Sequence, residues 1–139
     1  MIAVDTSVMI DLIGDDARAA SAEEAVRIAL SHGPVVACEV VISEVVAGLG
    51  HGSVVIDILE EAGIGFMPLE LRSAVRAGEM QRRYKERLRA GKEPQPVHRA
   101  VPDFLIGAHA QAHADRLLTR DRGVYRTYFA DLVILDPTQ

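Results

Sequence analysis

Four carboxylates occupy positions that a parallel α/β sheet would bring to one edge. Asp5 directly follows an apolar strand pattern, and Asp121 comes two residues after another such pattern. Asp103 opens a predicted helix, and Glu44 lies one turn into a different helix. The carboxyl ends of parallel strands and the neighbouring helix N-termini form one rim of the sheet, where ligands bind. These four acids are therefore candidates for a single site.

A cluster of carboxylates on one rim favours a bound divalent cation. Buried charges without partners are costly, and neighbouring carboxylates raise one another's pKa values. Mg²⁺ accepts a few carboxylates, keeps several waters and bridges to substrate phosphate. Because the set contains no Cys or His, Mg²⁺ or Mn²⁺ is the expected metal and phosphate chemistry the expected reaction. Spacing alone leaves open the alternative that these acids are only surface charges and helix caps.

Other residues with chemical potential form weaker patterns. His109 and His113 are four apart on a helix, which is the spacing of a metal pair, but the glutamate of a HEXXH motif is missing. Two partly exposed helix residues are the favoured interpretation. Ser7 lacks His and Asp partners for nucleophilic catalysis. Cys38 is the only cysteine, which excludes an intramolecular disulfide, and it is expected to be a structural residue at a helix N-cap.

Short apolar strands alternate with helices along the chain, and these elements must position the acids. The first predicted strand ends at Asp5, and the other predicted strands cover 34–37, 64–68, 116–119 and 132–135. Helices are predicted over 8–13, 21–31, 39–49, 53–61, 71–88 and 103–114. Strands and helices in alternation imply a parallel sheet covered on both faces. We expect a single domain over residues 1–139.

Three local features refine this outline. Ser21 and Glu24 form a capping-box pattern that predicts the start of the second helix at Ser21. The Pro-rich segment 91–102 is predicted to be a loop. Apolar residues of the helix over 71–88 recur at helical spacing and predict its buried face, with basic residues outside. That face consists of Leu71, Ala74, Val75, Tyr84 and Leu88.

Composition and charge narrow the function classes. The 139 residues are 49% apolar and 25% charged, which is typical of a soluble globular domain. The apolar runs are too short for a membrane span of roughly 18–20 residues, and the N-terminal segment does not resemble a signal peptide. The net charge is −5, yet nine of the 15 Lys and Arg residues lie between Arg72 and Arg99. One face could therefore hold a polyanion while the rest stays acidic.

Several motifs, taken in chain order, resemble a PIN-domain protein. They are Asp5-Thr6-Ser7, Glu44 in a helix before a glycine, the sequence PDFLIGAHA over 102–110 and the sequence LTRD over 118–121. The closing stretch 125–129 and the chain length resemble VapC-type toxins of bacterial toxin–antitoxin pairs. The resemblance implies a three-layer α/β/α sandwich around a short, mostly parallel five-stranded sheet. It also implies a Mg²⁺-dependent endoribonuclease, with Mn²⁺ as a substitute, that cuts RNA.

The resemblance also implies partners and residue roles. A cognate antitoxin would neutralise the enzyme, which would form a homodimer in the reducing cytoplasm. Asp5 and Asp103 match the principal metal-binding acids, Glu44 completes the site, and Asp121 matches the fourth acid. Hydroxyl residues would orient these acids. The orienting residues would be Thr119 and either Ser7 or Thr6. The residues expected to contact the substrate are Ser7, Thr119, Arg82, Arg83 and Arg99.

Two other functions remain open at this point. A Mg²⁺-dependent phosphatase also places an Asp after its first strand, but the second Asp expected two residues later is Ser7 here. A non-catalytic RNA- or protein-binding module of the same fold would not need all four acids. The segment from Gly91 to Val101 is long and Pro-rich, which leaves RNA selectivity undetermined.

The helices between Glu39 and Leu59 are rich in apolar residues. Part of this surface is a candidate for receiving an amphipathic partner helix, with packing against the sheet as the equally weighted alternative. The residues concerned are Val45, Val46, Val55, Ile58 and Leu59.

Overall fold

The computed structural model describes residues 1–14, 16–92, 100–121 and 123–138, and of Ala100 only the backbone. Its strands are β1 (Ile2–Val4), β2 (Val35–Ala37), β3 (Gly65–Phe66), β4 (Arg116–Leu118) and β5 (Val133–Leu135). Its helices are α1 (Thr6–Ile13), α2 (Ala17–His32), α3 (Glu39–Leu49), α4 (Gly52–Ala62), α5 (Leu71–Arg89), α6 (Ala100–His113) and α7 (Gly123–Tyr128).

The five strands form one sheet in the order β3-β2-β1-β4-β5, and every pairing is parallel. Strand β1 is central: Ala3 lies opposite Val36 of β2 on one side and Leu117 of β4 on the other. Strands β1 and β2 are fully buried, as their unbroken apolar sequence requires. The predicted α/β/α sandwich with a five-stranded parallel sheet is confirmed.

The central strand places Asp5 at the rim. Asp5 ends β1 and is the N-cap residue of α1, yet its side chain makes no capping bond to that helix. Its backbone N–H instead donates to the carbonyl of Leu118 at 3.0 Å, which holds it beside the end of β4. The Asp5 carboxylate is therefore directed to partners from other parts of the chain.

Helices α5 and α6 pack antiparallel against each other. The ring of Tyr84, near the end of α5, lies 5.8 Å from that of Phe104, near the start of α6. At the other end, the Arg72 guanidinium donates to the carbonyl of Ala112 at 3.4 Å. The C-terminal half of α5 is consequently beside the start of α6, where Asp103 lies.

The capping box predicted at Ser21 is wrong. Helix α2 begins at Ala17, and Asp16 caps it by accepting from the Arg18 N–H at 2.9 Å. Glu24 pairs with Arg27 instead of reaching back to Ser21. An earlier cap followed by alanines, which are strong helix formers, starts the helix before the Ser21 pattern can act.

The buried face predicted for α5 is largely wrong as well. Leu71 is 82% exposed and Val75 is 55% exposed, although Tyr84 is buried as expected. The stripe that packs inward is Ser73, Ala77, Met80 and Tyr84. Its small residues allow α6 to approach closely, and this contact outweighs the hydrophobicity of the neighbouring stripe.

The predicted loop over 91–102 ends earlier than expected. Helix α6 starts at Ala100, so Pro102 lies in its first turn, where a missing N–H costs nothing. Residues 93–99 of that loop lie outside the described residues. Helix α7 was not predicted, because six residues are too few to show a helical period.

Gly107 lies on α6 directly under the ring of Phe129. A Cβ added at this position would be 2.5 Å from Phe129 Cε2, and Phe129 is fully buried. We expect Gly107→Ala to destabilise the protein by about 1–3 kcal/mol through overpacking. Gly48→Ala is the matched control, because its Cβ would meet no atom within 4 Å. The control should gain about 0.5–1 kcal/mol of helix stability. Equal urea midpoints for both variants would refute the close contact.

Candidate active site

The Asp5 carboxylate is completely buried and accepts three hydroxyl hydrogen bonds. Its Oδ2 accepts from Ser7 Oγ at 2.9 Å and from Thr119 Oγ1 at 2.7 Å. Its Oδ1 accepts from the Tyr125 hydroxyl at 2.9 Å. Three polar donors offset part of the cost of removing this charge from water. The predicted orienting role of Ser7 and Thr119 agrees with these bonds, whereas their contact with substrate stays a prediction.

The same tyrosine connects Asp5 to Asp103. Asp103 lies in the first turn of α6 and is 1% exposed. The Tyr125 hydroxyl is 3.4 Å from Asp103 Oδ1, so a single hydroxyl lies between two buried carboxylates. Burial raises the pKa of Tyr125 well above its usual value, and the charges of Asp5 and Asp103 raise it further. Tyr125 therefore stays protonated and acts as a donor.

Glu44 reaches this region through a different hydroxyl. It is partly exposed on α3, and Thr6 Oγ1 donates to its Oε1 at 2.6 Å. Thr6 directly follows Asp5 and begins α1, so this bond links α3 to the site. The glutamate expected to complete the site thus hydrogen-bonds to Thr6, the residue next to Asp5 in the chain.

The side chain of Asp121 is exposed and hydrogen-bonds to a nearby backbone N–H. Its Oδ1 accepts from the Gly123 N–H at 3.3 Å, at the start of α7, and its own N–H donates to Thr119 Oγ1 at 2.9 Å. Its charge contributes to the raised pKa of Tyr125. Asp121 therefore accepts a hydrogen bond at the start of α7, as the alternative of a helix cap predicts. Its negative charge also acts on Tyr125.

An ion pair that the sequence analysis missed holds the connection between β4 and α7. Arg120 donates to Asp11 in a bidentate fashion, at 2.5 Å from Nε and 3.2 Å from the terminal nitrogen. Asp11 is 6% exposed, and the backbone N–H of Arg120 also donates to Ser7 Oγ at 3.2 Å. Both contacts attach the segment that carries Thr119 and Asp121 to helix α1.

The donor set fits a hard cation. Among the described residues, no three carboxylate, imidazole or thiol groups lie close enough together to hold a metal ion between them. The Asp5 and Asp103 carboxylates are the pair that shares a neighbour, and carboxylate oxygens are the ligands that Mg²⁺ prefers. Mg²⁺ is usually bound by one or two carboxylates with waters and substrate phosphate. A two-carboxylate site therefore meets the requirement of this ion.

The histidines and the cysteine are engaged elsewhere. The expectation that both histidines are partly exposed is wrong for His109, which is buried and whose Nε2 donates to the carbonyl of Met67 at 2.9 Å. Burial lowers the pKa of His109, which keeps the ring neutral. His113 lies 3.5 Å from Glu70 Oε1. Cys38 occupies the N-cap position of α3, as predicted, and burial raises the pKa of its thiol.

The predicted RNA-contacting arginines lie on the exposed side of α5. Arg82 and Arg83 belong to its C-terminal half, which the antiparallel packing places beside the start of α6. A groove of about 410 Å³ runs along this face. It is lined by Gly78, Gln81, Arg82, Lys85, Glu86 and Arg89. Arg99 lies outside the described residues.

The family model of the PIN domain matches residues 2–130. The chain belongs to the PIN-domain family. Among proteins of curated function, none matches it significantly in sequence. Within the part of the chain that the structure describes, no helix is long and apolar enough to cross a bilayer.

Solved structures share this PIN fold over nearly the whole chain. VapBC2 from Rickettsia felis, bound to a promoter DNA fragment, matches with a TM-score of 0.70 at 15% identity, with 98% of both chains covered. A toxin–antitoxin complex from Klebsiella pneumoniae gives 0.63 at 21% identity, with coverage of 99% of this chain and 98% of that one. VapC20 of Mycobacterium tuberculosis, a toxin that cleaves the sarcin–ricin loop, gives 0.62 at 19% identity and 94% coverage of both. At these identities the likeness establishes the fold.

Proposed function

We propose that this PIN domain is a Mg²⁺-dependent endoribonuclease and the toxin of a toxin–antitoxin pair. The observation that supports this most directly is the pair of buried carboxylates, Asp5 and Asp103, on either side of one hydroxyl at the carboxyl edge of the sheet. Toxins and toxin–antitoxin complexes are among the solved structures of the same fold, and one of these toxins cleaves the sarcin–ricin loop.

The chain's own residues divide the work of phosphodiester hydrolysis. Asp5 and Asp103 would hold the cation, which supplies stabilisation of charge on the phosphoryl oxygens. Glu44, whose carboxylate is partly exposed, would orient the attacking water and take its proton. The water oxygen bonds to phosphorus as the opposite phosphorus–oxygen bond breaks, and the leaving oxygen departs with its electron pair. Thr6 keeps the Glu44 carboxylate in position for this task.

Neutralising either buried acid should remove activity. We expect Asp5→Asn and Asp103→Asn to abolish Mg²⁺-dependent cleavage of a structured RNA, while Asp57→Asn, on the exposed face of α4, cleaves like wild type. Saturating Mg²⁺ at about 100 times its Kd should add roughly 2.7 kcal/mol to wild-type stability. Thermal melts should show a smaller gain for both site variants.

Three results would contradict this assignment in different ways. Wild-type cleavage by Asp5→Asn would refute the site. Hydrolysis of phosphomonoesters without RNA cleavage would favour the phosphatase. RNA binding without cleavage, in either Mg²⁺ or EDTA, would favour the non-catalytic module.

The basic groove on the exposed face of α5 is the surface proposed to hold the RNA backbone. Its Lys and Arg residues lie at successive helical turns on one exposed face. Arg82 pairs with Glu86 at 3.3 Å, and this exposed ion pair is easily exchanged for phosphate. We infer that nonspecific contacts with RNA phosphates are made here.

Removing positive charge from α5 should weaken binding of RNAs of any sequence. Arg82 lines the groove, and Arg83 is its exposed neighbour outside the lining. We expect Arg82→Gln/Arg83→Gln to reduce the slope of log affinity against log salt by about 0.7 for each RNA phosphate that is no longer neutralised. The matched control is Arg18→Gln/Arg27→Gln on α2, which removes the same charge from another helix. Fluorescence anisotropy over a salt series measures both. Identical slopes for the two double variants would show that the α5 arginines face solvent and do not contact RNA phosphates.

We infer that the antitoxin binds a groove between α1, α2 and α4. Of the apolar residues proposed for a partner helix, Val45 and Val55 are buried in the core, so packing explains them. The groove nearby, about 310 Å³, combines an apolar lining with two acids, Glu23 and Glu61, and one basic residue, Arg27, whose charge is paired with Glu24. Its apolar lining includes Leu12, Val26, Leu30 and Ala62. This combination suits an amphipathic helix with basic flanks.

The antitoxin should come from a small open reading frame that adjoins this gene. We expect its product to co-purify with the chain and to suppress the ribonuclease. Glu23→Lys/Glu61→Lys should weaken capture at least tenfold, because it reverses the charge of both acids. Glu60→Lys/Glu79→Lys, exposed and outside the groove lining, is the control. A product that neither binds nor inhibits would remove the toxin–antitoxin assignment and leave the nuclease intact.

The homodimer implied by the family resemblance belongs to the same proposal. Leu71 and Val75 give α5 an apolar stripe outside the core of the single chain. A second copy of the chain that covered this stripe would remove both side chains from water.

A further inference from the structure

The two oxygens of the Asp5 carboxylate have different surroundings. Oδ2 accepts from both Ser7 and Thr119, which occupies its two lone-pair directions. Oδ1 accepts only one hydrogen bond among the described residues, from Tyr125. The carboxylate is thereby fixed with Oδ1 toward Asp103, and Oδ1 is the oxygen that retains capacity for a further ligand.

Tyr125 is the residue that both acids share. Its side chain is fully buried on the short helix α7, and its hydroxyl lies 2.9 Å from Asp5 Oδ1 and 3.4 Å from Asp103 Oδ1. One hydroxyl proton can be donated to only one of these oxygens at a time. The hydroxyl therefore reduces the repulsion between the two charges and defines which oxygen of each carboxylate faces the other.

We propose that Tyr125 is a positioning residue for the acid pair. Its hydroxyl sets the orientation and separation of Asp5 Oδ1 and Asp103 Oδ1 and so preorganises these two atoms for a divalent cation. This inference rests on the proposed function, because it assumes that the pair holds a metal. Neither composition nor motif spacing assigns this role to Tyr125.

The role depends on the hydroxyl and not on the aromatic ring. The ring is buried in the core, so phenylalanine can take its place with little change in packing. Loss of the hydroxyl removes one of the three donors to the buried Asp5 carboxylate. It also removes the hydroxyl that lies beside Asp103 Oδ1. Outer groups that orient metal ligands typically affect metal affinity by about 10–100-fold.

The test compares Tyr125→Phe with Tyr84→Phe. Tyr84 is a buried tyrosine on α5 that packs against Phe104, so the control removes a hydroxyl from the same core. Calorimetric titration with Mn²⁺ should show a Kd raised about tenfold or more for Tyr125→Phe and little change for Tyr84→Phe. Saturating Mg²⁺ should restore most of the cleavage rate of Tyr125→Phe, because the reacting groups are retained.

Thermal melts in EDTA test the same role without metal. Tyr125→Phe should lower the Tm more than Tyr84→Phe does. The decrease should shrink in an Asp103→Asn background, where the hydroxyl no longer separates two charges. Equal Kd values and equal decreases of Tm for the two tyrosine variants would overturn the inference while wild-type metal binding and cleavage stand. Failure of wild type to bind Mn²⁺ or to cleave RNA would instead refute the proposed function, and the metal preorganisation with it.

Discussion

The arrangement of the site depends on the burial of one negative charge at Asp5. A fully buried carboxylate is stable only if donors replace the lost water, and here three hydroxyls do so. They come from α1, from the segment after β4 and from α7. Two of these donors, Thr119 and Tyr125, lie 114 and 120 residues from Asp5 along the chain, so this one charge connects the two ends of the chain at the site. It is at this rim of the sheet that we propose a bound cation.

The rest of the fold supplies what the acids alone do not. The central position of β1 places Asp5 between neighbouring strands, and the antiparallel packing of α5 on α6 places the C-terminal half of α5 beside the start of α6. The bidentate contact between Arg120 and Asp11 attaches the β4–α7 connection to α1. A chain with a net charge of −5 can thus still carry a basic surface on the exposed face of α5.

Much of the fold was predictable because the apolar runs and helical patterns lie within short segments of the sequence and agree with one another. Short apolar runs predicted all five strands within one or two residues, and the position of Asp5 after the first of them followed directly. The errors occurred where two local signals compete. Asp16 prevailed over Ser21 as a helix cap, and on α5 the stripe through Ala77 prevailed over the one through Val75. The first choice depends on which cap comes earlier in the chain, and the second depends on which neighbour packs against the helix.

The sequence by itself determined the order of the strands and of the first six helices along the chain, the position of Asp5 after the first strand and the concentration of basic residues after Arg72. Only the tertiary structure decided which partners these residues have. Tyr125 contacts Asp5 across 120 residues and Arg120 contacts Asp11 across 109, and no pattern within a short window encodes either pair. Both depend on the parallel pairing of β1 with β4, which places these two distant segments of the chain side by side.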